Sequence, residues 1–403
     1  MFGLRNLLNS IRGLGTDRLK LLGIVAGGHS VMHWYMESFS VILPSLKLGM
    51  GLNDIQIGTL MSARQVASGT LNFPAGILAD SLVGYRPLFL ASAPIVMGMA
   101  YMLVGISYDF TLTIMAVVMI GFAIALWHPA ALATLSNRFP EHRATVVAVH
   151  GMGASISNTI TPLGIGSLLV IFHWRNVLGF QIIPALLAAF LLWRSLIKVI
   201  GTPTERQSGA NQMKELGNLA RDTAFLGISV IRGFQRMGRL VVLTFLPIYL
   251  QEHLGYSPFL VGLHLTFLYG VGTFSQPIMA FLSDRLGRKT VLLPSFFVLG
   301  VFYLLFAVVA PGIQLGLLIC FTGILFFTLG NITTAAVMDV SDSRIQASSF
   351  GLSSFMTQLL ALPAPILAGF ISTKYGIAST FILSGGLLIF AGLLLAPLRI
   401  SRA

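Results

Sequence analysis

The feature that most constrains this chain is a succession of apolar segments of about twenty residues, separated by short polar turns. About twenty helical residues cross the roughly 30 Å of hydrocarbon in a bilayer. In that medium a helix satisfies all of its backbone hydrogen bonds internally. Only 9% of the 403 residues are charged, whereas a soluble domain has about 25%. The sequence therefore predicts an integral membrane protein whose spans are helices.

Twelve such segments are present, so the predicted fold class is an all-α membrane protein with twelve transmembrane helices in two six-helix halves. A polar stretch rich in Pro, Gly, Ser and charge separates the halves. We predict an N-terminal half at 1–198, a cytoplasmic linker at 199–222 and a C-terminal half at 223–403. The spans are predicted at 21–45, 55–80, 87–106, 111–136, 144–172, 176–198, 224–251, 258–282, 290–310, 313–339, 345–372 and 377–398.

The two halves repeat one plan at a nearly constant offset. Pairs 203 residues apart are Pro44 and Pro247, Pro74 and Pro277, Gly84 and Gly287, and Pro162 and Pro365; pairs 204 apart are Gly58 and Gly262, and Asp80 and Asp284. Proline and glycine in spans mark kinks and close helix contacts, which a duplicated scaffold keeps. We therefore expect two halves related by an axis along the membrane normal, with a substrate cavity between them.

The placement of basic residues predicts how the chain is oriented in the membrane. The net charge of +12 would suggest a nucleic-acid partner for a soluble protein. Here, with both termini inside, eighteen Lys or Arg fall in cytoplasmic segments and three in external loops. Because basic residues are retained on the cytoplasmic side, we predict a multi-pass protein of the cell (inner) membrane with cytoplasmic termini, embedded in the lipid bilayer and without a nucleic-acid partner. No removable signal peptide is expected.

The first span carries the chemistry that we expect to couple transport to protons. His29, His33 and Glu37 follow one another at steps of four, so the three side chains share one helical face. Glu37 is the only acidic residue well inside a predicted span. Ionisable groups at that depth face a bundle interior or a water-filled path. We therefore predict that Glu37, His29 and His33 form a proton-responsive site.

Three alternatives stay open for this stripe. Glu37 could form a structural ion pair with Arg64 on the next span, and each histidine could simply bond a neighbouring helix. The His-His-Glu spacing also suits a Zn, Mn or Fe(II) ligand set. Nearby positive charge argues against a cationic substrate, so no metal site is predicted.

Cys320 is the only cysteine, which excludes an intrachain disulfide and a thiolate metal site.

The seventh span carries a stripe of arginines, Arg232, Arg236 and Arg239. Arg232 could extend to the headgroups at the inner interface. A span that started after Arg239 would be too short to cross the bilayer, so Arg236 and Arg239 must lie within it. Guanidinium groups match carboxylates and phosphates, which predicts an anionic or phosphonate-bearing solute. Alternatively, one arginine is a counter-charge to Glu37.

The repeat offset carries polar residues of one half onto polar residues of the other: His29 onto Arg232, His33 onto Arg236 and His128 onto Asn331. We expect these residues on opposite walls of one cavity. His264 is expected to be structural. The predicted residues that bind a small-molecule substrate are Arg64, Arg232, Arg236, Arg239, His128, His150 and Asn331.

Two loops resemble the loop signature of the major facilitator superfamily: GILADSLVGYRP at 76–87 and AFLSDRLGRKT at 280–290. The second copy matches closely. The first has Ser81 where a basic residue is usual, and one extra residue before its glycine. The resemblance implies a twelve-helix secondary transporter of two rocking halves. It also implies a charge latch that holds one conformation, formed here by Asp80, Arg86, Asp284, Arg285 and Arg288.

Two further resemblances concern the transport reaction. Pro162, Gly164 and Gly166 in the fifth span resemble the Gly-Pro motif of proton antiporters, although Thr161 replaces a glycine. The His-rich first span, WHPA at 127–130 and AVHGMGASISNTITP are similar to the drug-efflux branch that includes fosmidomycin-resistance proteins. They imply a monomeric antiporter with the proton as coupling ion and no other cofactor.

The favoured function is therefore proton-coupled export of small organic compounds, anionic ones included. The alternatives are proton-linked uptake of an organic anion and transport of a divalent metal through the His/Glu stripe. An enzyme is disfavoured because the sequence contains no HExxH, GxSxG or Walker-type motif.

Overall fold

The computed structural model describes residues 15–197, 217, 219, 221–341 and 346–398, and all regular secondary structure in these ranges is helical. We label twelve helices, of which α6, α10 and α11 each consist of two segments. They are α1 Thr16–Met50, α2 Asp54–Ser81, α3 Arg86–Ile106, α4 Phe110–Arg138, α5 Arg143–Ile171, α6 Trp174–Phe180 and Ile182–Leu196, α7 Thr223–Ile248, α8 Pro258–Leu286, α9 Arg288–Leu305, α10 Ile313–Phe326 and Thr328–Asp339, α11 Gln346–Ala361 and Ala364–Tyr375, and α12 Ala378–Leu395.

Short helical turns extend some of these helices. Two 3-10 turns, Val83–Tyr85 and Pro140–His142, precede α3 and α5, and a π-helical turn, Tyr249–His253, continues α7. Of the predicted linker 199–222, only residues 217, 219, 221 and 222 are described; the rest lies outside the described residues.

Within the described residues, nine helices are long and apolar enough to cross a membrane by length and composition. The helices that do not reach this criterion are α1, α2 and α7. Two of them, α1 and α7, carry the His/Glu stripe and the arginine stripe, and polar side chains lower the apolar character of a helix. The two stripes of ionisable residues therefore lie in helices that are less apolar than this criterion requires.

Side-chain caps set where individual helices begin. The carboxylate of Asp222 accepts a hydrogen bond from the Phe225 amide at 2.7 Å, and that of Asp109 accepts from the Leu112 amide at 2.8 Å. Such caps pair amides that the first helical turn leaves without partners. Gly287 ends α8 with φ +93°, a conformation that favours glycine. The backbone conformation thus explains why the second loop signature has a glycine at this position.

The chain divides into two compact units. The first unit consists of Met1–Phe39 and Ala63–Glu205, and the second of Ser40–Ser62 and Arg206–Ala403. The second unit thus includes the end of α1 and the start of α2, which the sequence assigns to the N-terminal half. The predicted half boundaries themselves stay a prediction.

Tyrosine hydroxyls hold α1 in the first unit. Tyr35 donates to the Gln181 carbonyl at 2.5 Å, and Tyr101 donates to the Tyr35 carbonyl. The indole of Trp34 donates to the Gln181 side chain at 2.9 Å. Tyr35 and Tyr101 are fully buried. Both acceptors belong to Gln181, which lies between the two segments of α6, so this residue connects α6 to α1.

Glycines bring α2 close to α11 in the second unit. A Cβ at Gly58 would collide with the carbonyl of Pro365, and a Cβ at Gly369 would collide with the carbonyl of Asp54. Ser62 adds a hydrogen bond from its hydroxyl to the Leu362 carbonyl at 2.8 Å. The backbones of the two helices therefore approach more closely than larger residues would allow.

A charged cluster in the second unit explains further why Ser40–Ser62 belongs there. Lys47, beyond the predicted first span, lies 2.7 Å from the Asp54 carboxylate and 2.5 Å from that of Glu252. Ser372 donates to the other oxygen of Asp54. Burial lowers the pKa of Lys47, but hydrogen bonds and charges from Asp54 and Glu252 outweigh burial and raise that pKa. Sequence reasoning placed these residues in loops and did not join them.

We predict that Gly58→Ala destabilises the protein. The added methyl group meets backbone atoms of α11 that cannot rotate away, and such overpacking costs about 1–3 kcal/mol. Thermal unfolding of the purified protein should show a lower midpoint. Gly386→Ala is the matched control, because no atom lies within 4 Å of a Cβ there. An unchanged midpoint for Gly58→Ala would contradict the packing described for α2 and α11.

We also predict that Lys47→Met destabilises the protein by about 1–3 kcal/mol, because it leaves two largely buried carboxylates without their partner. The side chains of Asp54 and Glu252 are only 15% and 21% exposed. Since the pKa of Lys47 is raised, its contribution is present below the ordinary pKa of 10.5 and is lost only as the pH rises above that range.

The measurement is thermal unfolding at about pH 6 and about pH 9, where the loss should be the same. Lys374→Met is the control, since Lys374 is exposed. Equal midpoints for Lys47→Met and the wild type would show that the cluster contributes nothing to stability.

Candidate functional site

Two glycines bring α4 and α5 against the polar face of α1. A Cβ at Gly28 would collide with the Trp127 ring of α4. A Cβ at Gly153 of α5 would collide with the Ala26 carbonyl, and the Ser30 hydroxyl donates to the Gly153 carbonyl at 2.9 Å. These small residues allow side chains on three helices to meet.

Four histidines meet at this place, and we call His29, His33, His128 and His150 the histidine cluster. The ring centroid of His29 lies 4.6 Å from that of His33, 5.4 Å from that of His128 and 3.8 Å from that of His150. The rings of His29 and His150 are stacked, with an interplanar angle of 5°. The structure therefore groups the two histidines predicted for proton coupling with two that were predicted to bind substrate.

Oxygen acceptors orient three of these rings through the Nδ1 atom. His29 Nδ1 bonds the His150 carbonyl, His33 Nδ1 bonds the Oδ1 of Asn158, and His128 Nδ1 bonds the Ile124 carbonyl, each at 2.9 Å. A carbonyl oxygen can only accept, so each Nδ1 carries the proton and each Nε2 carries a lone pair. Asn158 was not predicted as a site residue; the available signal was that it is the one carboxamide side chain in α5.

Glu37 lies one turn beyond His33 on α1 and is half-buried. Arg64 of α2 is buried, and its Nη1 donates to the carbonyl of Met36, next to Glu37, at 3.3 Å. Its guanidinium also lies 5.7 Å from the centre of the Phe39 ring. The first unit thus places the predicted coupling carboxylate and Arg64 on neighbouring stretches of α1 and α2, and their roles stay predictions.

The arginine stripe lies wholly within α7 of the second unit. Arg232 donates to the hydroxyls of Ser353 and Ser354 at 3.2 and 3.4 Å, so α11 holds its guanidinium. Arg239 lies over the Phe326 and Phe327 rings of α10, 4.9 and 4.6 Å from their centres. Arg232 also lies over the Phe350 ring, 5.1 Å from its centre. The two guanidiniums therefore differ in hydrogen bonding: Arg232 has hydroxyl acceptors, whereas the Nε of Arg239 has no hydrogen-bond partner among the described residues.

The other predicted residues of the second unit also have defined positions. Arg236 is half-buried on α7. Asn331 is exposed, and its amide donates to the Gln276 side chain at 2.8 Å, which joins α10 to α8. His264 bonds the Leu260 carbonyl of its own helix at 2.7 Å. The predicted binding roles of Arg236 and Asn331 stay predictions.

The second loop signature forms a network of charges. Arg288 bonds the Asp339 carboxylate of α10 at 2.8 Å and also pairs with Asp284. Arg285 lies over the Phe281 ring at 4.5 Å. These contacts connect α8, α9 and α10 at one end. They are compatible with the predicted latch and do not test it.

The first signature is organised differently. Arg86, at the start of α3, is buried and donates from Nε to the Ala79 carbonyl of α2 at 2.8 Å. The side chain of Asp80 lies outside the described residues. Arg86 therefore joins two consecutive helices within the first unit, and its predicted latch role stays a prediction.

Comparison with known proteins gives a consistent result. The sequence model of the Major Facilitator Superfamily matches residues 25–235 and 224–402. The chain is 23% identical to the hexuronate transporter of Bacillus subtilis, with 89% of each chain covered. It is 22% identical to a probable sulfoacetate transporter of Cupriavidus necator, with 68% of this chain and 66% of the relative covered.

Among solved structures, a bacterial homologue of the human lysosomal transporter Spinster superposes with a TM-score of 0.80 at 13% identity, covering 97% of this chain and 100% of that chain. This likeness concerns the fold alone. It confirms the predicted all-α fold of twelve helices.

Proposed function

Because this chain belongs to the major facilitator superfamily, a family of membrane transporters and not of enzymes, we propose that it carries small organic anions and couples their movement to protons. The proposed direction is export by antiport, which the Pro162 motif in α5 favours. The relatives named above are a hexuronate transporter and a probable sulfoacetate transporter, and both solutes are anions. We therefore place the substrate among organic acids rather than among the drugs favoured by the resemblance to fosmidomycin-resistance proteins.

The observation that carries this proposal is the surroundings of Arg239. Its guanidinium stacks on Phe326 and Phe327, and its Nε is buried without a hydrogen-bond partner among the described residues. No described carboxylate forms an ion pair with it. Aromatic faces stabilise a cation but leave its N–H donors unused. A substrate carboxylate supplies acceptors in the planar geometry that guanidinium favours.

The rest of the stripe supports the same ligand chemistry. Arg236 lies about one turn before Arg239 and Arg232 one turn further, so the three share one side of α7. The hydroxyls of Ser353 and Ser354 hold Arg232 without neutralising its charge. Several positive charges in a membrane-embedded helix are costly unless they face an aqueous path or an anion. A bound organic anion would offset that cost.

Glu37 is the proposed proton carrier. A carboxylate within a membrane helix is costly when charged, so protonation and transport can be linked as its surroundings change. Arg64, bonded to the backbone carbonyl beside Glu37, is the proposed counter-charge to this carboxylate. Competition between Arg64 and the proton for Glu37 provides the coupling that antiport requires.

We expect Arg239→Lys and Arg239→Gln to lower substrate exchange at least about tenfold, because a charge-assisted hydrogen bond contributes about 1.5–3 kcal/mol. The assay is exchange of radiolabelled glucuronate in proteoliposomes, with sulfoacetate as a second probe. Glucose is the control solute, because it lacks only the carboxylate of glucuronate. Arg194→Gln is the control variant, since Arg194 is an exposed arginine. Equal exchange by Arg239→Gln and the wild type, or preference for glucose, would disprove the anion site.

We expect Glu37→Gln to abolish accumulation driven by a pH gradient while solute exchange without a gradient continues, because glutamine cannot carry the proton. The measurement is glucuronate uptake into proteoliposomes under gradients of both signs. Antiport requires accumulation when the lumen is the more acidic side, and symport requires the reverse. Glu141→Gln is the control, since Glu141 is exposed. Gradient-driven accumulation by Glu37→Gln at the wild-type level would exclude this role.

A further inference from the structure

Three histidines of the first unit have ring nitrogens close enough to serve one ion. One nitrogen each from His29, His33 and His128 lies within 4.8 Å of the others. His29 and His33 occupy positions i and i+4 of α1, the spacing at which two imidazoles on one helical face bind a metal together. His128 comes from α4, so the third donor approaches from a different helix.

The hydrogen bonds of the three rings match those of metal ligands. Each Nδ1 bonds an oxygen: the His150 carbonyl, the Asn158 side chain or the Ile124 carbonyl. Imidazoles that bind metals typically donate their second N–H to a carbonyl or carboxylate, which fixes the ring and leaves the other nitrogen for the metal. Because the Nδ1 of His29 donates to a carbonyl, the lone pair of this neutral ring lies on its Nε2.

The Nε2 atom of His29 supplies an independent indication. It is buried and has no hydrogen-bond partner among the described residues, and His29 as a whole is only 7% exposed. A buried acceptor without a partner costs about 1–3 kcal/mol. The ring packs against His150 and His33, whose centroids lie 3.8 and 4.6 Å from its own. A cation at this nitrogen would bind the lone pair, which has no hydrogen-bond donor among the described residues.

We propose that His29, His33 and His128 form a binding site for a transition-metal dication of the Zn²⁺ class. Imidazole nitrogen is a preferred ligand of Zn²⁺ and its neighbours in the series, whereas Mg²⁺ and Ca²⁺ require oxygen. Zn–N bonds of about 2.0–2.1 Å place tetrahedral donors about 3.3 Å apart, so nitrogens that lie within 4.8 Å of one another would close by at most about 1.5 Å on binding. Three protein donors leave a fourth position for water.

A bound ion would connect helix α1 with helix α4 within the first unit. His150 lies outside the group of three donors but stacks on His29 and accepts its Nδ1 proton, and Asn158 orients His33. Both belong to α5, which thereby positions the ligands without touching the ion. This site does not rest on the proposed anion transport, which depends on the arginines of the second unit and on Glu37.

The test is a Co²⁺ titration of the purified full-length protein, prepared through an affinity tag without histidine. We expect one Co²⁺ per protein with the visible absorption of a four-coordinate, nitrogen-bound ion. Zn²⁺ should displace it and Mg²⁺ should not. His29→Gln and His128→Gln should weaken binding at least about 100-fold, and Asn158→Leu about 10-fold to 100-fold with the same spectrum.

His264→Gln is the matched control, because His264 makes the same bond to the carbonyl four residues earlier as His128 does. A second variant, His128→Cys, keeps a metal ligand and should add a thiolate-to-cobalt charge-transfer band. This variant tests the site even if the protein does not fold when His128 is replaced by glutamine. The proposal is overturned if folded wild type gives no four-coordinate spectrum, if His264→Gln weakens binding as much as His29→Gln, or if His128→Cys binds Co²⁺ without the new band.

Discussion

The absence of water in the hydrocarbon layer is the constraint on which this structure depends. It requires backbone groups to pair within helices, and it makes every polar side chain in a span costly unless another helix holds it. The described part of the chain meets the first requirement with helices alone. The second is met by bonds such as those from Arg232 to the serines of α11 and from His33 to Asn158.

Small residues determine which helices can provide those partners. Gly28 and Gly153 allow α4 and α5 to approach α1, and only then do four imidazoles meet. Gly58 and Gly369 do the same for α2 and α11 in the second unit. In a bilayer the close approach of helices replaces the hydrophobic effect as the source of attraction between them. The glycines that allow these helices to pack closely therefore also decide which functional side chains can meet.

The two units carry different chemistry. The first unit brings together the histidine cluster and, on neighbouring stretches of α1 and α2, Glu37 and Arg64; imidazoles and carboxylates can exchange protons or bind metals. The second collects guanidiniums set against aromatic rings and hydroxyls, which favour anions. We propose that this separation allows one unit to respond to protons while the other binds substrate. A transition metal at the three histidines would act on the first unit without occupying the arginines of the second.

The amino-acid sequence by itself determined the helical class, the number of spans and the repeat, because span length and the spacing of prolines are local properties of the chain. It also identified Glu37, His29, His33 and the arginine stripe as candidate functional residues, since ionisable residues inside an apolar span are visible without coordinates. The repeat predicted one cavity for His29 and His128, but spacing could not show that the rings of His128 and His150 contact that of His29, because they lie on other helices.

Tertiary structure alone decided which of these residues meet. It brought His128 to His29, aimed Asn158 at His33 and linked Lys47 to Asp54 and Glu252. It also showed that Arg232 bonds hydroxyls, whereas the Nε of Arg239 has no hydrogen-bond partner among the described residues. The physical reason is that helical periodicity sets which face a side chain occupies, whereas the helix that covers this face depends on close contacts made by glycines distant in the chain.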